Sequence, residues 1–217
     1  MRIINCVLFC CLFCFGQRID YNNLDLKYYP YIVFYEALDD TEVDALIKAV
    51  DRGEEKTGLF LGFNSGWMNV IVDNNEDARY GFTYGVKLGY QSFLPSFFDR
   101  LSKPGILGGR IYAQYISSLS NKTIFGRDRF STILLGGDLL LEFPMLRYLD
   151  LGVILGLGLG SMTYNAKADS ELSFLLNTGI GTSFLRHHRV DFEMKILTNG
   201  YVNWFGALFM VGYNYVF

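Results

Sequence analysis

His187 and His188 are the only imidazoles in the chain, and acyl transfer or acid–base chemistry would have to be built on one of them. Outer-membrane lipases and acyltransferases of this size need such a ring beside a serine, with an acid behind it. Both rings lie between Arg186 and Arg189, a short basic stretch that reads as a solvated turn. Asp191 and Glu193 follow at strand spacing, on the same face as Lys195. Two carboxylates could share a proton, but with a cation beside them an ion pair is the expectation. Lys87, Arg110, Asp138 and Glu142 sit in alternating apolar stretches of the same kind. Together Lys87, Arg110, Asp138, Glu142, Asp191, Glu193 and Lys195 predict a charge network in a narrow lumen, because a confined charge is costly unless it is paired. A proton or ion path is the alternative use of these groups.

Other chemistries are poorly supplied. All four cysteines, Cys6, Cys10, Cys11 and Cys14, lie before Gly16, in a segment expected to be removed, so no thiol is expected in the mature chain. The glycines from Gly152 to Gly160 recur at every second residue, which is the spacing of a strand and not of a phosphate loop. Asn121-Lys122-Thr123 has the form of a glycosylation acceptor, uninformative in a bacterial setting. No metal-ligand spacing occurs, and no cofactor is expected. The net charge is −3 and no basic stripe is present, which argues against nucleic acid.

Half of the residues are hydrophobic and 17% are aromatic, yet beyond the N-terminus no uncharged apolar stretch is long enough for a membrane helix. A membrane crossing would therefore be made of strands, and 23 glycines suit strands better than helices. The last nine residues show the pattern clearly: Phe209, Val211, Tyr213, Tyr215 and Phe217 share one face. A strict period of two marks a strand whose faces meet different environments, and lipid would cover an aromatic face at the end of a chain.

Similar alternation recurs upstream from Lys56. Leu59, Leu61 and Phe63 oppose Gly58, Phe60, Gly62 and Asn64; Tyr80 to Tyr90 alternate with Arg79 to Gln91. Ile111, Ala113 and Tyr115 oppose Arg110, Tyr112 and Gln114. Ile133 to Phe143 alternate with Leu134 to Glu142, and Leu149 to Leu159 with Asp150 to Gly160. A sixth segment spans Leu172–Leu185, a seventh sets Val190 to Ile196 against Asp191, Glu193 and Lys195, and an eighth begins near Phe205. Eight segments of about ten residues predict an all-β fold, an eight-stranded antiparallel transmembrane β-barrel. With both termini periplasmic, external loops fall at Ser65 to Ala78, Ser118 to Arg129, Ser161 to Glu171 and Thr198 to Asn203. Internal turns fall at Ser92 to Gly105, Pro144 to Tyr148 and Arg186 to Arg189. A soluble carrier barrel is the structural rival, since periodicity does not say which face is inside. Its outer face would carry many long charged side chains, whereas the minority face here is dominated by glycine, which suits a crowded lumen.

The N-terminal region reads differently. Arg2 followed by the apolar run Ile3 to Phe15 has the form of a cleaved signal peptide, residues 1–16, too short to span a bilayer. Phe9, Cys10 and Phe13 stand where a lipoprotein needs a small residue, which disfavours lipidation. Residues 17–55 form a periplasmic segment. Pro30 argues against a central strand in Tyr28 to Tyr35. Asp39, Asp40 and Thr41 offer caps for a short amphipathic helix carrying Val43, Leu46, Ile47 and Val50 and ending near Gly53. Residues 56–217 are the barrel.

The stretch L-S-F-L-L-N-T-G-I-G-T-S-F-L from Leu172, the turn Arg186 to Arg189 and V-D-F-E-M-K-I from Val190, with G-V-K-L-G-Y-Q from Gly85 and G-G-D-L-L from Gly136, resemble the C-terminal barrel of the Helicobacter-type outer membrane protein family. The likeness covers most of Lys56 to Phe217; Leu197 stands where many members have proline. It implies placement in the bacterial outer membrane and a terminal aromatic strand, Phe209 to Phe217, read by the barrel-assembly machinery. The family's adhesins are long chains with a large external domain, and no segment of that size is read in these 217 residues, so adhesion is not carried over as an expectation. The expectation is a small barrel in outer-membrane lipid with a structural or surface-interaction role and no catalysis, its external ligand unnamed. A narrow pore and a lipid-modifying enzyme are the alternatives.

Overall fold

A computed structural model describes Tyr28 and residues 40–71, 78–93, 105–120, 128–146, 148–164, 171–199 and 205–217. The expectations for the signal peptide, for Tyr29 to Tyr35, for Asp39 and for Asn121 lie outside them. The chain divides into two compact units, Met1–Arg52 and Gly53–Phe217. In the first, helix α1 (Asp40–Glu55) begins, and the Tyr28 hydroxyl donates to Asp51 Oδ1 at 2.7 Å. Val43, Leu46 and Val50 are buried along it while Glu42, Ala45 and Lys48 are exposed. The helix does not stop at Gly53 as its sequence suggests. A Cβ there would stand 3.1 Å from the Phe93 carbonyl oxygen, so this glycine serves a close backbone approach, against a helix cost of about 1 kcal/mol.

The second unit is a closed antiparallel barrel in which every strand pairs with its neighbours in sequence and β1 pairs with β8. The strands are β1 (Gly58–Ile71), β2 (Ala78–Ser92), β3 (Leu107–Ser120), β4 (Asp128–Leu146), β5 (Leu149–Tyr164), β6 (Glu171–Phe184), β7 (His188–Asn199) and β8 (Phe205–Val216). The seam runs from Phe60 opposite Val216 to Ile71 opposite Phe205, and the Phe217 amide extends it by donating to Leu59 O at 2.8 Å. Closure leaves no unpaired strand edge.

The strands outrun their expected ends. Ser65 to Ile71 belongs to β1, paired with β2 and β8. β3 continues to Ser120, β4 starts at Asp128, β5 reaches Tyr164 and β7 reaches Asn199. Serine, asparagine and glycine in these rims resemble loop composition, but ladder pairing to a neighbouring strand overrides composition. Pro144, expected in a turn, lies within β4, where the register shifts between Pro144 and Leu146; a residue with no N–H is accommodated at such an irregularity. The last turn is Leu185–His187, with φ of 49° at Leu185 and 70° at Arg186. His188 and Arg189 are therefore strand residues.

Side chains divide cleanly between the two faces. Outside stand Leu59, Phe63 and Trp67 of β1, Phe82 to Tyr90 of β2, Leu151 to Leu159 of β5 and Phe209 to Phe217 of the terminal strand and its last residue. On β5 Leu157 is 70% exposed while Ile154, of the opposite parity, is wholly buried. An apolar surface that surrounds the barrel far exceeds the few hundred Å² that soluble monomers tolerate.

Candidate functional site

The lumen holds ten buried charged side chains among the described residues: Lys56, Lys87, Arg110, Arg189 and Lys195 against Asp138, Glu142, Asp150, Asp191 and Glu193. Five cations face five carboxylates, so the interior carries no formal surplus. Arg110 is the centre. Its Nε donates to Asp138 Oδ2 at 2.6 Å, Nη1 to Asp191 Oδ2 at 2.6 Å and Nη2 to Glu193 Oε1 at 2.5 Å. A planar guanidinium with donors on three sides can serve three carboxylates in this way.

Bonds spread outward from that centre. Lys87 Nζ donates to both oxygens of Glu193, at 2.9 and 3.0 Å, and Lys195 Nζ lies 3.3 Å from Glu193 Oε2. Asn177 Nδ2 bridges Asp138 and Glu193, at 3.0 and 3.2 Å, and the Tyr112 hydroxyl reaches Asp138 at 3.3 Å. Asp191 also accepts from Arg189 Nε at 2.6 Å and from Asn214 Nδ2 at 2.9 Å. Arg189 then hands the chain on through Nη1 to Glu142, which also accepts from Ser183 Oγ at 2.8 Å. Lys56 closes the turn end: its ammonium donates to Glu142 at 2.8 Å, Asp150 at 2.9 Å and the Gly105 carbonyl at 3.2 Å, 4.4 Å from the centre of the Phe93 ring. All ten charges thus belong to one connected lattice.

Six of the seven charges expected in the lumen cluster around Arg110; Glu142 lies toward the turn end and joins them only through Arg189. Lys56, Asp150 and Arg189 are additions that sequence reading missed. Arg189 shares the inward parity of Asp191, Glu193 and Lys195, and Asp150 that of the β5 glycines, so alternation extended by one residue would have found both. Lys56 follows the helix on no strand, and nothing in its local pattern marks it.

Glycine makes room for the lattice. A Cβ on Gly156 would collide with the Asp138 carboxylate, one on Gly181 with Arg189 and Asp191, and one on Gly136 would stand 2.5 Å from the Tyr112 ring. On β5 the glycine face makes room for the β4 carboxylates at Gly152 and Gly156, and for Leu175 and Leu134 at Gly158 and Gly160. Toward the loop end the filling changes to Met68, Ile116, Leu134, Leu175, Leu197, Leu208 and Met210, which pack as one buried cluster. Phe93, Leu140 and Ile154 form another, with Leu140 between the lattice carboxylates Asp138 and Glu142 along β4. These inward apolar residues account for the noisy alternation of the third and fourth segments.

Among the described residues neither histidine hydrogen-bonds a serine. His187 Nδ1 lies 3.1 Å from the Val216 carbonyl, and His188 Nδ1 lies 2.6 Å from the Tyr213 hydroxyl with its ring stacked on Phe184. Phe209, Val211, Tyr213, Tyr215 and Phe217 all point outward, and Tyr215 meets Phe217 edge to face at 5.1 Å. Among the described residues no group of His, Cys, Asp and Glu could hold a metal ion.

No protein-family model matches the sequence, and no curated protein matches it. Solved structures do. The outer membrane enzyme PagL is similar with a TM-score of 0.55 at 16% identity, over 73% of this chain and 99% of that one. Neisserial surface protein A is similar with a TM-score of 0.50 at 14% identity, over 74% and 97%. The fold is that of the eight-stranded outer-membrane barrels. At such identities the likeness extends to the fold alone, and the chemistry must be argued from the residues of this chain.

Proposed function

We propose that the chain is a small integral barrel of the bacterial outer membrane, delivered by a cleaved signal peptide, with a structural or surface-interaction role and no catalysis. One observation carries this reading: the outside is a continuous apolar belt, while the inside is filled by a charge-balanced lattice and buried apolar clusters. The belt suits hydrocarbon. The filled interior suits neither transport nor a ligand cavity, since an eight-stranded barrel is only wide enough for its own side chains.

The pore alternative makes the opposite demand. Purified protein in planar lipid bilayers is expected to give no stable conductance steps, because ions meet paired charges and then packed side chains along the lumen. Large, reproducible steps would replace this reading with a channel. An enzyme would need a base with a free partner; His187 and His188 are instead held by Val216 and Tyr213, which favours a structural role for both.

The terminal face Phe209, Val211, Tyr213, Tyr215 and Phe217 serves, on this reading, as the signal for the barrel-assembly machinery. Phe217 also donates the last seam bond to Leu59. Deleting Phe217 is expected to lower the amount of folded, heat-modifiable protein in outer-membrane fractions several-fold. Unchanged levels with unchanged heat-modifiability would remove that role.

A further inference from the structure

One wall of the lumen is polar and neutral, and its side chains carry buried polar atoms with no hydrogen-bond partner among the described residues. On β1, β2 and β3 the inward side chains Asn64, Thr83, Gln114 and Ser118 are buried. Six of their polar atoms, Asn64 Nδ2 and Oδ1, Thr83 Oγ1, Gln114 Nε2 and Oε1, and Ser118 Oγ, have no hydrogen-bond partner among the described residues. The register makes them neighbours. Thr83 is opposite Ser118 and Lys87 is opposite Gln114 across β2 and β3, while Asn64 is opposite Gly85 across β1 and β2. Because Gly85 has no side chain, the Asn64 amide lies over its backbone, with Oδ1 2.6 Å from where a Cβ would be.

Both ends of two amides, each with donors and acceptors, are too costly to bury bare. The lattice does not supply the missing bonds: Lys87, the nearest charge in register, donates to both oxygens of Glu193 and to none of these four side chains. We propose that this wall binds a cluster of internal water molecules bridging Asn64, Thr83, Gln114 and Ser118. Water is the ligand that fits. The four side chains carry no formal charge and the ten lattice charges balance, so nothing here selects an ion. Each group can donate as well as accept, as a water making about three hydrogen bonds requires. A lumen already filled by side chains leaves no room for a larger neutral molecule. Lys195 Nζ, which has no hydrogen bond and lies 5.4 Å from the Tyr112 ring two residues before Gln114, is the group to which the cluster would extend. The interior is then wet along one wall and still without a conducting path.

Nuclear magnetic resonance on the isotope-labelled protein in detergent micelles tests this directly. The side-chain amide signals of Asn64 and Gln114 are identified by their disappearance in Asn64→Leu and Gln114→Leu. Magnetisation transfer from water to both amides of the parent protein is expected. Visible amide signals without such transfer at either residue would overturn the proposal. A second measurement does not depend on those assignments: the urea midpoint for folding of the Asn64→Leu/Gln114→Leu protein into lipid vesicles. A hydrated wall loses its bridging waters and the midpoint falls. A dry wall is relieved of two bare amides, and a midpoint above that of the parent would reject the water cluster.

Discussion

Arg110→Met is expected to be the most damaging single substitution in the barrel, lowering folding stability by about 3–5 kcal/mol, the usual cost of stranding buried charges. The side chain is close in length and apolar, so lost packing is a minor part. What remains is Asp138, Asp191 and Glu193, three carboxylates that Arg110 holds at 2.5–2.6 Å, now without their shared counter-ion. Arg110→Lys should recover only part of the loss, because one ammonium lacks the planar fork that reaches three acids. Arg110→Met combined with Asp191→Asn should cost less than the two single losses added together, since the second change removes one of the stranded charges. Urea titration of folding into lipid vesicles measures all four proteins. An Arg110→Met barrel within about 1 kcal/mol of the parent would mean that the lattice is hydrated or loosely paired, and would also weaken the case against a pore.

Leu155→Arg should cost about 2–4 kcal/mol in the same assay, as a charge near the bilayer midplane does. Leu155 lies near the middle of β5, opposite Leu139 and Thr178, and points outward with half of its surface exposed. Cysteine substitution tests the same geometry in a protein whose four native cysteines, all before Gly16, are changed to serine. Cysteines at Leu151, Val153, Leu155 and Leu157 should react with a membrane-soluble thiol reagent, and one at Ile154 should be shielded. Gly152, Gly156 and Gly158 are weaker controls than alternation suggests. A side chain at Gly156 runs into Asp138, and the other two crowd β4 backbone, so those variants test packing as well as exposure. Labelling at Ile154 with protection of the leucines would turn the barrel inside out and restore the soluble carrier.

How much could be read in advance varied with what each strand face meets. Alternation was clear where both faces meet a single environment along their length. β2 and β5 place aromatic or branched residues outward and mostly small or charged residues inward, and β8 keeps a large apolar and aromatic outer face although Leu208, Met210 and Val216 fill its inner one; the count of eight strands and their antiparallel order followed. β3 and β4 were harder to read because their inward faces mix charges with large apolar side chains: Asp138 and Glu142 flank Leu140 on β4, and Arg110 shares its face with Tyr112 and Ile116 on β3. Leu134 and Leu140 stand at inward positions yet are as hydrophobic as their outward neighbours. The helix was legible from the spacing of Val43, Leu46 and Val50, but its end was not, since the close approach of Phe93 to Gly53 is made by residues distant in sequence.

By itself, then, the sequence determined the strand period, the number of strands and which side chains must turn inward, because these depend on neighbours two residues apart. Only the closed barrel decided which charge meets which. Arg110 finds Asp191 at a separation of 81 residues and Lys87 finds Glu193 at 106; Lys56, on no strand, completes the lattice at its turn end. Those partnerships are set by the register of eight staggered strands, in which a slip of one residue would turn an entire face from lumen to lipid. No local pattern encodes that stagger. It is fixed when β1 meets β8 and the ring closes, bringing the ten buried charges of the described residues within reach of their partners.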